Sequence, residues 1–451
     1  MALMVRIFKI TAIFVIAVIL GSAPGPAFAD RTSLIRDTEI ENTIREFATP
    51  VFRAAELNSS SVKLYLIQDN SINAFVAGGQ RLFIHTGLLM RATNAGQVIG
   101  VIAHETGHIA GGHLIRGNEA LEHATVASLM SLLVGGIAIG AGRGDIGNAV
   151  ISAGQSTSVR GLLHFSRTQE SSADQAGLKF LDSAGFSATG LMEFMKILGD
   201  QESLLPEQQD PYAQTHPLTR DRIIAVENHV AHAPTSKNSL PPEFEVKFQR
   251  MKAKLFGFLN SYGHVIRVYR ESDNSVQSRY ARAVASFRRP DMPTALGLID
   301  GLIAEMPDDP YFWELKGQML FENGNAKEAL EPYQKAVRLL PNAELLRTDL
   351  ARVQLALNDD TLLESAIENL RYALARERNS PFIWRQLAIA YGRKGDKGHG
   401  SLAIAEEALL IGRKADARYH AGYAGRVFKT GTREWLQAQD ILVAAQEKRN
   451  K

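Results

Sequence analysis

The chain has 451 residues, enough for two or three domains and at least one large core. Hydrophobic residues make up 45% and charged residues 22%, which excludes both a disordered tail protein and a polytopic membrane protein. Fifty Lys and Arg stand against 48 Asp and Glu; Arg6 and Lys9 account for the excess, so the rest of the chain is neutral and nucleic acid is not an expected partner. No cysteine is present, which removes thiol nucleophiles, disulfides and cysteine-held metals and leaves His, Asp and Glu for any metal site.

Arg6 and Lys9 precede an apolar run from Ile10 to Leu20, a breaker cluster of Gly21, Pro24, Gly25 and Pro26, and the A-x-A site Ala27-Phe28-Ala29. Residues 1–29 therefore read as a cleavable signal peptide, too short to span a bilayer, which needs about 20 apolar residues. Export without cysteines suits the periplasm of a Gram-negative bacterium. The mature chain, from Asp30, opens with an amphipathic helix to about Phe52, followed by strands at Val62–Ile67 and Ile72–Ile84 around Gly78 and Gly79. Helices are expected at Leu88–Ile115 and Arg167–Ala184, the second stopped by Gly185. Between them, residues 124–142 carry no charge. One crossing there would put the histidines before it and the carboxylates after it on opposite membrane faces. The segment reads as a glycine-rich helical hairpin: a lid, a membrane-surface contact, or packing within the domain.

The turn-rich run from Ala233 to Pro242 marks a domain boundary. Beyond it Ala295 and Ala329, like Pro307 and Pro341, are 34 residues apart, and Trp313, Gly317, Ala329, Tyr333, Ala336 and Pro341 fall on tetratricopeptide positions. Later units are degenerate. The expected fold is mostly α with a small β-sheet: a first domain holding the sheet, followed by an α-solenoid whose units bury their faces by stacking on neighbours.

The chemistry is concentrated in His104-Glu105-Thr106-Gly107-His108, an HExxH sequence in an apolar helix. Four residues make slightly more than one turn, so both imidazoles leave one face and can share a cation, while Glu105 stands at its edge as a proton acceptor. A third ligand is needed, and His113, His123, His164, Glu170 and His216 are the candidates. The HExxHxxGxxH pattern fails by one residue, because Gly111 is present but the histidine is at 113 and Leu at 114. Glu170 and Asp174 form an i, i+4 carboxylate pair that repels unless a cation lies between them; a metal on Glu170, with Asp174 accepting the free N–H of a ligand histidine, supplies one.

HExxH followed by ExxxD, with Asn73-Ala74-Phe75-Val76-Ala77-Gly78-Gly79 before them and Thr215-His216-Pro217 after, resembles metallopeptidase family 48, the gluzincins that include the CAAX-prenyl endopeptidases and HtpX. The signal peptide, this domain and the repeat tail together resemble the BepA-type periplasmic metalloproteases of outer-membrane protein quality control. The resemblance is tight over residues 70–225 and loose beyond. It implies that His104, His108 and Glu170 hold one zinc ion, that Glu105 is the general base and that Asp174 supports a zinc-bound histidine, His104 foremost. It also implies that Arg222 is a charge partner near the Glu170 helix. The expected division is a signal peptide at 1–29, a zinc metalloprotease domain at 30–232, a linker and connecting helix at 233–274 and a tetratricopeptide-repeat domain at 275–451. Clients by the same resemblance are unfolded or misassembled envelope proteins, among them outer-membrane β-barrel or lipopolysaccharide-assembly components.

Around the centre, Asn73, Gly78 and Gly79 suit an edge strand to which an extended substrate adds, or a simple hairpin turn. His216, on a loop before proline, has three readings: it stabilises an oxyanion, takes the fourth metal position and holds the enzyme latent, or bonds locally. His85 reads as structural. Three functions stay open: a zinc endopeptidase with a partner-binding solenoid, a chaperone or scaffold with a latent protease site, and a metal hydrolase acting on something other than peptides.

Overall fold

The computed structural model describes residues 33–113, 167–202 and 209–446. The segment read as a signal peptide, the charge-free stretch at 124–142, His123 and His164 lie outside these residues. Asp37 organises the first described element: its carboxylate accepts the Ile40 N–H and caps α1 (Thr38–Ala54). The sequence reading carried this helix back to Asp30, but Ser33–Ile35 instead forms strand β1, paired antiparallel with β2 (Lys63–Gln68) through Leu34 and Ile67. β3 (Ala74–Ala77) and β4 (Arg81–His85) are a hairpin turned by Gly78 at φ 55° and Gly79 at φ 87°, left-handed values that glycine adopts without strain. The sheet order is β1-β2-β4-β3, with β2 and β4 parallel, so β3 is an edge strand.

The sheet has two buried faces, as its alternation requires. Leu66, Ala74, Val76, Leu82 and Ile84 point into the main core, while Ile67, Phe75, Ala77 and Phe83 form the other face, where Phe83 stacks between Tyr65 and Phe75 at 4.9 Å from each.

The single helix expected from Leu88 to Ile115 is two: α2 (Thr86–Arg91) and α3 (Ala95–Ala110). Asn94 causes the break by accepting the Gln97 N–H, and Gln97 returns the favour at the Thr93 N–H, a reciprocal cap that apolar periodicity conceals. α3 stops at Gly111 and Gly112, the latter at φ 60°. After it come α4 (Arg167–Ser183), ended by Gly185 at φ 76°, α5 (Thr189–Glu202), α6 (Pro211–Thr215), α7 (Arg220–His232) and α8 (Pro242–Leu259). α8 follows the turn-rich break yet places Phe244, Phe248, Met251 and Leu255 in the same core as Phe47 of α1, Ile102 of α3 and Phe194 of α5.

A short helix, α9 (Tyr262–Val268), leads to ten more: α10 (Val276–Arg288), α11 (Met292–Glu305), α12 (Pro310–Glu322), α13 (Ala326–Leu339), α14 (Glu344–Ala356), α15 (Leu363–Leu374), α16 (Pro381–Lys394), α17 (Lys397–Leu410), α18 (Lys414–Val427) and α19 (Arg433–Ala444). Each packs on the next, and fully buried alanines at 295, 329, 336, 366, 373, 405 and 408 let them approach closely. A polar network joins this part to α1. Glu39, fully buried, meets Arg250 and Lys254 of α8 and accepts the Tyr280 hydroxyl of α10 at 2.7 Å; Lys254 also pairs with Asp37 at 2.7 Å, Thr38 bonds Glu314 of α12, and Arg36 pairs with Glu377. The buried charges of Glu39 and Lys254 are tolerated in the interior because each meets an opposite one, while the buried Glu314 carboxyl is held by the Thr38 hydroxyl. Among the described residues no helix is long and apolar enough to cross a membrane.

Candidate metal centre

α3 and α4 meet backbone to backbone because glycine faces the contact from both sides. A Cβ on Gly107 would lie 2.5 Å from the Ala173 carbonyl oxygen, and one on Gly177 3.1 Å from Ala103. Gly100 meets Leu191 of α5 in the same way, with 2.6 Å to its Cα. α3 is thereby locked between two helices, and the polar faces of α3 and α4 are turned onto each other in a dry interior. His104, Glu105, His108, Glu170 and His216 are each at most 1% exposed.

His104 Nε2 lies 3.1 Å from His108 Nε2, 3.5 Å from Glu170 Oε2 and 3.4 Å from His216 Nδ1. Glu170 Oε1 lies 3.3 Å from His108 Nε2 and 3.0 Å from His216 Nδ1. One ligand atom from each of the four residues falls within 4.8 Å of the others. Three imidazoles turned inward on a carboxylate oxygen suit a shared cation. Around a tetrahedral ion with bonds of about 2.0–2.1 Å, neighbouring ligand atoms stand about 3.3–3.4 Å apart, and the separations given above, 3.0–3.5 Å between imidazoles and to one or other Glu170 oxygen, bracket that value. The donor set and its geometry fit a divalent metal.

The flanking groups hold this quartet in orientation. Asp174 Oδ1 stands 2.8 Å from His104 Nδ1, and Arg222 donates from Nε to Asp174 Oδ2 at 2.6 Å and from Nη2 to Oδ1 at 2.9 Å. The same guanidinium reaches Glu170 Oε2 at 2.7 Å and the Pro217 carbonyl at 2.8 Å, tying the loop that carries His216 to α4. His216 caps the C-terminus of α6, and its ring stacks on Tyr212 at 4.5 Å. α6 is anchored to the loop before β3 by the Ile72 N–H on Asp210 and the Tyr212 N–H on the Ile72 carbonyl.

Burial and charge act in opposite directions here. Burial raises the Glu105 carboxyl, and the nearby His216 and His104 offset this only in part. It pushes the His108 imidazolium down to about 2, so that ring is a neutral donor of its lone pair. Burial also opposes ionisation of Glu170 and Asp174, yet His216 and His108 at the first, and Arg222 and His104 at the second, hold both below the usual carboxylate range. Tyr212, buried beside Glu105 and Glu170, is raised well above an ordinary phenol.

The sequence-predicted residues divide accordingly. His104, Glu105, His108, Glu170, Asp174, His216 and Arg222 converge. Asn73, Gly78 and Gly79 lie along β3 and its turn: the Asn73 carbonyl accepts the His85 N–H, the glycines turn the hairpin, and the strand itself packs beside α3. His85 bonds Ser71 at 3.0 Å in the loop after β2 and is not among the four. His113 is not a member of the quartet either; it contacts His108 from outside. Tyr212 also belongs to the site, and the signal for it is its place one helical turn before His216, the spacing that puts two side chains on one face.

Residues 35–230 match the profile of peptidase family M48. A protein of Vibrio cholerae serotype O1, provisionally named a beta-barrel assembly-enhancing protease, is 25% identical over 298 residues, 65% of this chain and 61% of that protein's length. The beta-barrel assembly-enhancing protease of Escherichia coli K12 is 23% identical over 403 residues, 87% of this chain and 78% of that one. Metalloprotease LoiP of the same organism is 27% identical over 160 residues, 36% of this chain and 58% of that one.

Proposed function

We propose that this chain, whose residues 35–230 match the profile of peptidase family M48, is a zinc endopeptidase of the periplasm that degrades or matures misassembled outer-membrane proteins. The observation that carries this reading is the buried quartet, whose ligand atoms all lie within 4.8 Å of one another. His104, His108 and Glu170 are the ligands of the reading, and a divalent cation there supplies Lewis-acid polarisation of a peptide carbonyl. Glu105, beside the ligands and raised by burial, takes the proton from the attacking water and returns it to the leaving amine. Asp174 keeps the His104 lone pair inward, and Arg222 neutralises the carboxylates. Substrate adds as an extended strand to β3, an edge strand of the sheet among the described residues, beside α3.

His216 takes the fourth corner in this reading. Its Nδ1 stands at ligand distance from His104 and Glu170, where substrate and water would have to enter, which supports a latent state. The same observation favours a second reading, a chaperone or scaffold whose protease site stays closed.

The helices after Val276 are read as tetratricopeptide repeats. A side-chain donor recurs at one position of successive units: Trp313 Nε1 to the Pro307 carbonyl, Arg347 Nε to Pro341, Trp384 Nε1 to Arg378, each six residues back and stepping by 34 and then 37 residues. We assign client capture to these helices and, on the names of the relatives, β-barrel assembly as their setting.

The test is zinc analysis of the purified protein together with cleavage of an unfolded polypeptide. Glu105→Gln is expected to keep its metal and lose cleavage by a factor on the order of 100 or more; undiminished cleavage would refute the base, and loss of zinc would make Glu105 a ligand. His216→Ala is expected to raise basal cleavage. A fall would transfer His216 to transition-state stabilisation.

A further inference from the structure

After the second histidine of the HExxH segment the chain does not continue its helix. Gly112 turns left-handed at φ 60°, and the His113 N–H bonds the His108 carbonyl at 3.2 Å. Gly111 leaves the space this turn needs, since a Cβ there would lie 2.5 Å from Nε2 and 2.8 Å from Cε1 of the His113 ring. Two glycines together therefore fold the imidazole of His113 back over the end of α3, where it is 7% exposed. There its Nδ1 stands 3.0 Å from His108 Nδ1, with the two rings nearly perpendicular at 78°.

The opposite nitrogen of His108, Nε2, is the one turned toward Glu170 and His104. A neutral imidazole offers one lone pair and one N–H, and which nitrogen carries the proton depends on the bond the other makes. We propose that His113 is a positioning residue of the metal centre: it accepts the Nδ1–H of His108, fixing the tautomer and ring angle that present the Nε2 lone pair to the cation. The proposal rests on the metal-centre reading above. It pairs each HExxH histidine with its own outer partner, Asp174 for His104 and His113 for His108. The partners differ for an electrostatic reason. Among the described residues the pocket encloses three carboxylates, Glu105, Glu170 and Asp174, against one guanidinium, that of Arg222, and a fourth carboxylate would add repulsion in a buried site, whereas neutral imidazole accepts the same proton without adding charge. The position of His113 also explains why it cannot be the missing ligand, since its ring meets the nitrogen of His108 that points away from the quartet.

The experiment uses the full chain as wild type and as His113→Ala, His113→Asn and Gly111→Ala. Zinc affinity is measured by competition with a chromophoric chelator, and the visible absorption of the cobalt-loaded protein reports ligand geometry. Circular dichroism melts of the metal-free forms check folding. His113→Ala is expected to bind zinc about 10- to 100-fold more weakly, the usual consequence of removing a histidine's outer partner, with a shifted cobalt spectrum. His113→Asn, whose Oδ1 takes the place of Nδ1 as acceptor, is expected to recover most of the affinity and the wild-type spectrum. Gly111→Ala keeps the imidazole but displaces it, and is expected to resemble His113→Ala. Wild-type affinity in His113→Ala would overturn the proposal; so would an Asn variant as weak as Ala with its fold intact, because packing alone would then explain the residue. A wild-type chain that binds no divalent metal would instead overturn the metal-centre reading, and this proposal with it.

Discussion

Gly107, the second variable residue of the HExxH segment, tests whether helix spacing sets metal affinity. In Gly107→Ala the new methyl would lie 2.5 Å from the Ala173 oxygen, 2.9 Å from its Cα and 3.0 Å from its carbonyl carbon, all backbone atoms that cannot rotate away. Restoring van der Waals contact requires α3 and α4 to separate by roughly 0.5–1 Å, and overpacking of this kind costs about 1–3 kcal/mol. The separation opens the side of the quartet that joins the two helices: His108 to Glu170 at 3.3 Å and His104 to Glu170 at 3.5 Å. A metal-free chain can relax in this direction, but one whose ligands must stay about 2.0–2.2 Å from a common ion cannot. Most of the cost therefore falls on binding, and at 1.4 kcal/mol per tenfold the loss is about 5- to 150-fold in zinc affinity. The assay is chelator competition together with thermal melts in zinc and in EDTA, with the zinc-bound midpoint falling further than the metal-free one. Gly297→Ala is the control. Gly297 lies within α11 with nothing inside 4 Å of its added methyl, so alanine there should be neutral or gain up to about 1 kcal/mol in helix propensity. Equal affinity and equal melting in Gly107→Ala would refute the view that the glycine contact sets the ligand spacing.

Two more outcomes follow from the packing around α8. Phe248 is fully buried in the core that holds α3, so Phe248→Ala should cost about 3–5 kcal/mol and lower the melting temperature of the metal-binding part, although the residue lies past the turn-rich boundary; a shift confined to the later helices would contradict this. Burial raises the Glu314 carboxyl to about 8 against the pull of Lys254, so its ionisation works against the fold as pH climbs from about 4.5 through 8. Wild-type denaturation midpoints should decline across that window and those of Glu314→Gln should decline less, by an amount on the order of 1–3 kcal/mol, with identical slopes counting against the assignment.

The site was legible where helical spacing alone decides the geometry. His104 and His108, and Glu170 and Asp174, are i, i+4 pairs, and such a pair shares a face wherever its helix packs. Gly185 stops α4 where its residue type suggests. What escaped depends on partners distant in sequence or on short capping signals. β1 is three residues long and exists because β2 pairs with it. The break between α2 and α3 is made by Asn94 and Gln97 inside an unbroken apolar pattern. His113 was visible as a histidine in a metal-binding neighbourhood, but its distance from the quartet is set by a left-handed turn at Gly112 that spacing does not reveal. Tyr212 gains its place from a loop anchored to Ile72, about 140 residues earlier.

The network around Glu39 also governs the order in which the protein can be assembled. Arg250 and Tyr280, which meet its carboxylate, are separated from it by 211 and 241 positions, and Thr38 reaches Glu314 across 276. During synthesis α1 emerges long before its counter-charges, and an isolated glutamate cannot enter an apolar interior cheaply. Closing so long a loop is slow relative to local helix formation, because its entropy must be lost before any contact rewards it. The metal-binding half therefore reaches its final packing only after α8, α10 and α12 have been made, and a chain interrupted between residues 232 and 280 would hold a complete set of ligands on a scaffold that has not closed.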